Sequence, residues 1–162
     1  GDYDERASYV YDQLVELGRC GQKTGGGVYD YEPGSRTPIP SPITQKLIVE
    51  AAEKFGIEQR EVSDEEIVER CFLSLFNIGC DVLNEGMAYR ASDIDIVYLN
   101  GYGFPAWRGG PMYWAENTIG LKRALDRINE FAELHGREYW TPSPLLERLV
   151  AEGGSLRDVQ NG

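Results

Sequence analysis

Residues 63–86 read SDEEIVERCFLSLFNIGCDVLNEG. Ser63, followed three places later by Glu66, forms a capping box in which each side chain can satisfy the other's free backbone N–H. Losing the serine would cost about 1 kcal/mol. Behind the box, Ile67, Cys71, Leu75, Ile78 and Val82 recur at helical spacing, and Gly86 stands where the helix should stop. The stretch predicts one helix to about Glu85, roughly 30 Å long at 1.5 Å per residue. Its length and central position make it the expected spine of a mostly α-helical domain.

Upstream, Ser41 can cap and Pro42 can occupy the first turn of a helix bearing Ile43, Leu47, Ile48, Ala51 and Phe55, ended by Gly56. Residues 18–42 are rich in glycine and carry Pro33, Pro38, Pro40 and Pro42 around a short extended Val28-Tyr29-Asp30-Tyr31. They read as a loop followed by a stiff linker, the expected domain boundary. Before them, Ala7, Val10, Tyr11, Leu14 and Leu17 predict an amphipathic helix over 4–17, closed by Gly18. Its abrupt, charged start suggests a chain cut from something longer.

Downstream, Ser92-Asp93-Ile94-Asp95 reads as a cap with acids in the first turn, which the helix dipole favours. Ile94, Ile96 and Tyr98 alternate as in a strand, but the caps argue for helix, and helix is expected. Residues 101–111 read as a rigid loop of glycines and aromatics. Helices are expected at about 111–117, 120–135 and 142–152, the last capped by Thr141 with Pro142 at its first position.

Composition narrows the function. The 162 residues carry 16 Lys plus Arg against 27 Asp plus Glu, a net charge of −11, which disfavours nucleic acid and anionic lipid as partners. No apolar run approaches the roughly 20 residues of a membrane span. Cys20, Cys71 and Cys80 make an odd set without CxxC spacing, as free thiols in a reducing compartment would. A single histidine, His135, excludes a multi-His metal site within one chain.

Short motifs weigh against a site in this chain. Gly101-Tyr102-Gly103-Phe104-Pro105-Ala106 matches GxGxxA, but Pro105, Trp107, Gly109, Gly110 and Pro111 leave no room for the helix that must hold a pyrophosphate. Gly21-Gln22-Lys23-Thr24 lacks the glycine directly before lysine that a P-loop needs. Arg19 and Lys23 read as a solvated turn, and His135 as a helix-end cation. Asp93 with Asp95, and Glu65 with Glu66, read as N-terminal helix charges. Cys71 and Cys80 read as small core residues. Leu14-Val15-Glu16-Leu17-Gly18 echoes Leu149-Val150-Ala151-Glu152-Gly153, as expected of two helical domains in tandem.

Two longer segments carry a family resemblance. Residues 18–31, GRCGQKTGGGVYDY, resemble the GRxGxKTGxGxYxY segment that closes the helical C-terminal domain of 3-hydroxyacyl-CoA dehydrogenases. Ser92-Asp93-Ile94-Asp95 through Gly101-Tyr102-Gly103-Phe104-Pro105, then Arg108-Gly109-Gly110-Pro111-Met112, is similar to the second helical domain of the multifunctional fatty-acid β-oxidation proteins. The resemblance covers nearly the whole chain and implies a helical bundle of the 6-phosphogluconate dehydrogenase C-terminal-domain type with a Gly/Pro-rich N-terminal segment. Residues 1–36 would be the tail of a first helical domain and 37–162 the second.

It further implies a parent that oxidises 3-hydroxyacyl-CoA with NAD, with enoyl-CoA hydratase and Rossmann domains upstream. The family's catalytic His–Glu pair and NAD site belong to that Rossmann domain. A further catalytic Asn lies in an Ile-Val-Asn-Arg context. The matching stretch here is Ile67-Val68-Glu69-Arg70, with Glu69 in the Asn place. No catalytic, cofactor-binding or metal residue is therefore assigned. The implied role is architectural: this copy packs on the first as a second subunit would, with Phe104, Trp107, Met112 and Trp114 as candidate interface anchors. A fragment lacking those domains should expose apolar surface and self-associate. The expected compartment is the cytoplasm, or the peroxisome if the source is eukaryotic. The competing expectation is a stand-alone helical module binding acyl-CoA or a protein.

Overall fold

The computed structural model describes residues 5–161, which separate into two compact units divided between Glu61 and Val62. In the first unit, α1 (Glu5–Glu16) packs on α2 (Pro42–Phe55). The first residue of the helix expected over 4–17 lies outside the described residues. Leu14, Leu47 and Ala52 are buried here, and the rings of Tyr9 and Phe55 meet edge-on at 5.6 Å. Gly18, at φ 71°, ends α1 in the left-handed turn its sequence predicts.

The stretch read as loop and linker is an ordered hairpin built around Arg19. Strands β1 (Tyr29–Asp30) and β2 (Ile39–Pro40) pair antiparallel, Tyr29 opposite Pro40. The Arg19 guanidinium donates to the Gly27 carbonyl (2.9 Å), the Ser41 hydroxyl (3.0 Å) and the Asp30 carboxylate. A Cβ at Gly26 would lie 2.7 Å from that guanidinium, so a side chain there would have to push Arg19 aside. Ser41 occupies the N-cap position of α2, but its side chain makes no capping bond, since Arg19 holds it. The chain between Gly56 and Ser63 is exposed and forms no helix or strand.

The second unit begins with α3 (Asp64–Asn84), capped by the Ser63 hydroxyl, which accepts from the Glu66 N–H at 3.2 Å. Helix α4 (Ala91–Gly101) follows, so the ambiguous 94–99 stretch is helical. A 3₁₀ turn at Ala106–Arg108 leads to α5 (Pro111–Trp114), which continues as a π-helical turn, Ala115–Ile119. Then come α6 (Leu121–His135), the short α7 (Arg137–Trp140) and α8 (Pro144–Glu152). Helices α4, α5, α6 and α8 all pack on α3. Leu73, Phe76, Leu83, Ile94, Met112, Ile128, Phe131, Leu145 and Leu146 form the core.

Two element boundaries differ from expectation. Helix α4 starts at Ala91, so Ser92 sits within its first turn rather than capping it. Helix α8 starts at Pro144 after Ser143; Thr141 instead ends α7, its hydroxyl donating to the Arg137 carbonyl at 2.7 Å.

Candidate functional site

The spine helix is held by polar ties as well as by its apolar core. Glu69 is buried, and its carboxylate accepts from Arg127 Nε at 2.7 Å and from Arg123 Nη2 at 3.3 Å, both on α6. Burial of a carboxylate is tolerable only with such partners. About two turns along, the buried Asn77 amide donates to the Thr141 carbonyl (2.8 Å) and accepts from the Ser143 N–H (2.9 Å). That pair of bonds sets where α8 begins. On the other flank, a Cβ on Gly79 would lie 2.5 Å from the Met112 sulfur, so glycine permits the close approach of α3 and α5.

These contacts determine which face of α3 turns outward. Its buried residues are Glu69, Leu73, Phe76, Asn77, Gly79, Cys80 and Leu83. The stripe expected to be core is therefore the outer one: Ile67 is 49% exposed, Ile78 60%, and Cys71 is exposed. Leu75 and Val82 are half-buried. Cys80 fits its reading as a small core residue, and burial pushes its thiol pKa up; Cys71 does not. Beside this face, the Arg108 guanidinium lies 5.5 Å from the Phe72 ring of α3 and 4.2 Å from the Trp107 ring. Trp107 is 79% exposed.

Of the four candidate anchors, only Trp107 is on the surface. Phe104, Met112 and Trp114 are buried within their own unit. Phe72 meets Phe104 at 4.5 Å and Trp114 edge-on at 5.2 Å, so these rings hold the 101–111 loop and α5 against α3. A helix precedes the GxGxxA segment and a 3₁₀ turn follows it, an arrangement opposite to that of a dinucleotide motif.

Asp95 is not a surface helix charge. It is buried, and its carboxylate accepts from the N–H groups of Met112 (2.8 Å) and Tyr113 (3.1 Å), capping α5 from α4. Burial pushes its pKa up to about 6, against the two backbone bonds and with help from the nearby Glu116 charge. Glu116 in turn accepts from the Ser155 hydroxyl (2.7 Å) and the Leu156 N–H (2.9 Å), fastening the C-terminal segment. Asp93 does behave as a first-turn charge and pairs with Arg90 at 3.0 Å. His135 ends α6 and lies flat against Phe131 at 6.0 Å. Sequence reasoning missed the Arg19 hub, the Asn77 tie and the Glu116 clasp. A lone buried-looking Asn amid the apolar residues of α3 was the one signal available for them.

Among the described residues, no helix is long and apolar enough to cross a membrane. A long helix packed against four others, with Ile67 and Ile78 exposed on its outer side, defines a mostly α-helical domain. The profile of the 3-hydroxyacyl-CoA dehydrogenase C-terminal domain matches residues 67–162, and the chain belongs to that family. It is 43% identical over 146 residues to a peroxisomal bifunctional enzyme of Danio rerio and 40% identical over 146 residues to that of Homo sapiens, covering 89% of this chain and 20% of each relative. It is 39% identical over 159 residues to the peroxisomal fatty acid beta-oxidation multifunctional protein AIM1 of Arabidopsis thaliana, covering 95% of this chain and 22% of that protein. The chain thus spans about a fifth of the length of the curated relatives it matches.

Proposed function

We propose that this chain is the C-terminal part of an NAD-dependent 3-hydroxyacyl-CoA dehydrogenase acting in fatty-acid β-oxidation, and that its own contribution is architectural. Residues 1–36 would be the tail of a first helical domain and the remainder its duplicate. The duplicate would pack on the first domain of the same longer protein, below Rossmann and hydratase domains that supply the chemistry. NAD would bind to the parent and not to this part. Of the two compartments expected from sequence, the peroxisome has the support of the relatives' names.

The observation that carries this reading is the bare apolar stripe of α3. Ile67 and Ile78 stand exposed on the best-anchored helix of the unit, with Trp107 beside it. Exposed apolar surface on a rigid element marks an interaction face. Glu69 adds to the case: its carboxylate is already committed to Arg127 and Arg123, so it is not free to polarise a substrate.

Sedimentation velocity on this chain tests the proposal. Concentration-dependent self-association is expected, reduced by Ile78→Glu. A strictly monomeric chain would count against it. Calorimetry with NAD and with acyl-CoA separates it from the stand-alone binding module, for which submicromolar affinity is required. A hydride-transfer assay on the chain alone should show no turnover.

A further inference from the structure

We draw no further inference here: the strongest candidate, the pocket of about 230 Å³ between the N-terminus of α4, the π-helical turn and the C-terminal segment of the second unit, is lined by two carboxylates, Asp95 and Glu116, that already cap backbone N–H groups of the fold, and nothing in the structure shows what ligand would enter it.

Discussion

At Asp95, position and protonation are coupled. Its folded pKa of about 6 lies above the ordinary value of 3.8. The folded state therefore binds the proton more tightly than the unfolded chain does. The stability this group contributes is fully present below about pH 4 and is lost as pH rises through 6. Asp95→Asn cannot ionise, so the stability of the variant relative to wild type should rise between pH 4 and pH 7.5. Urea denaturation at the two pH values checks this, and a difference that stays constant with pH would refute it. Glu69 makes a second test. Glu69→Ala removes the acceptor of two arginines, and a loss of about 1–3 kcal/mol is expected in the same assay. The loss stays moderate because Arg127 keeps its bond to Glu130.

At the scale of elements, glycine positions distinguish backbone strain from collision. Gly110 has φ 106°, and a Cβ there would sit 2.3 Å from the Asp95 carboxylate. Gly136 has φ 101° with open space around it. Both residues combine a positive φ with an extended ψ, a region that essentially only glycine occupies, so both alanine variants carry a backbone penalty of order 1–3 kcal/mol, but only Gly110→Ala also breaks the cap of α5. It should lower the thermal midpoint clearly more than Gly136→Ala; equal shifts would remove the cap from the explanation. Asn77→Ala leaves the Thr141 carbonyl and Ser143 N–H without their partner, at an expected cost of about 2–4 kcal/mol.

Local chemistry made the helices legible, and long-range ties hid their details. Ser63, Gly18 and Gly56 act where they stand, so the ends of α1, α2 and the start of α3 could be read directly. Thr141-Pro142 and Ser143-Pro144 are two cap-plus-proline signals in succession. Only the Asn77 amide, 66 positions from Ser143, selects the second. The face of α3 was misread for a related reason. Its inner stripe is interrupted by Glu69 and Asn77, whereas Ile67, Cys71, Leu75 and Ile78 make the cleaner apolar period. Periodicity reports a helix and cannot say which of two apolar faces will be covered. Asp95 matched a dipole charge because its partners, Met112 and Tyr113, lie across a loop.

For the whole molecule, the division between Glu61 and Val62 predicts a cleavage pattern. Residues 56–63 are exposed and outside any helix or strand, and Arg60 lies among them. Limited trypsin digestion should cut after Arg60 first and leave a helical fragment beginning at Glu61. Early cuts inside the second unit would show that it is not compact as described.

The ties on α3 also have a bearing on the order in which the chain can fold. Glu69 waits for Arg127, 58 positions later, and Asn77 waits for Ser143. The Leu83 carbonyl waits for the amide of Asn161, 78 positions on. Closing such long loops costs entropy before any contact repays it and slows folding. During synthesis, α3 leaves the ribosome well before the residues that cover its inner face. For that interval it has two uncovered apolar sides, and transiently exposed apolar surface of this kind is prone to non-native association.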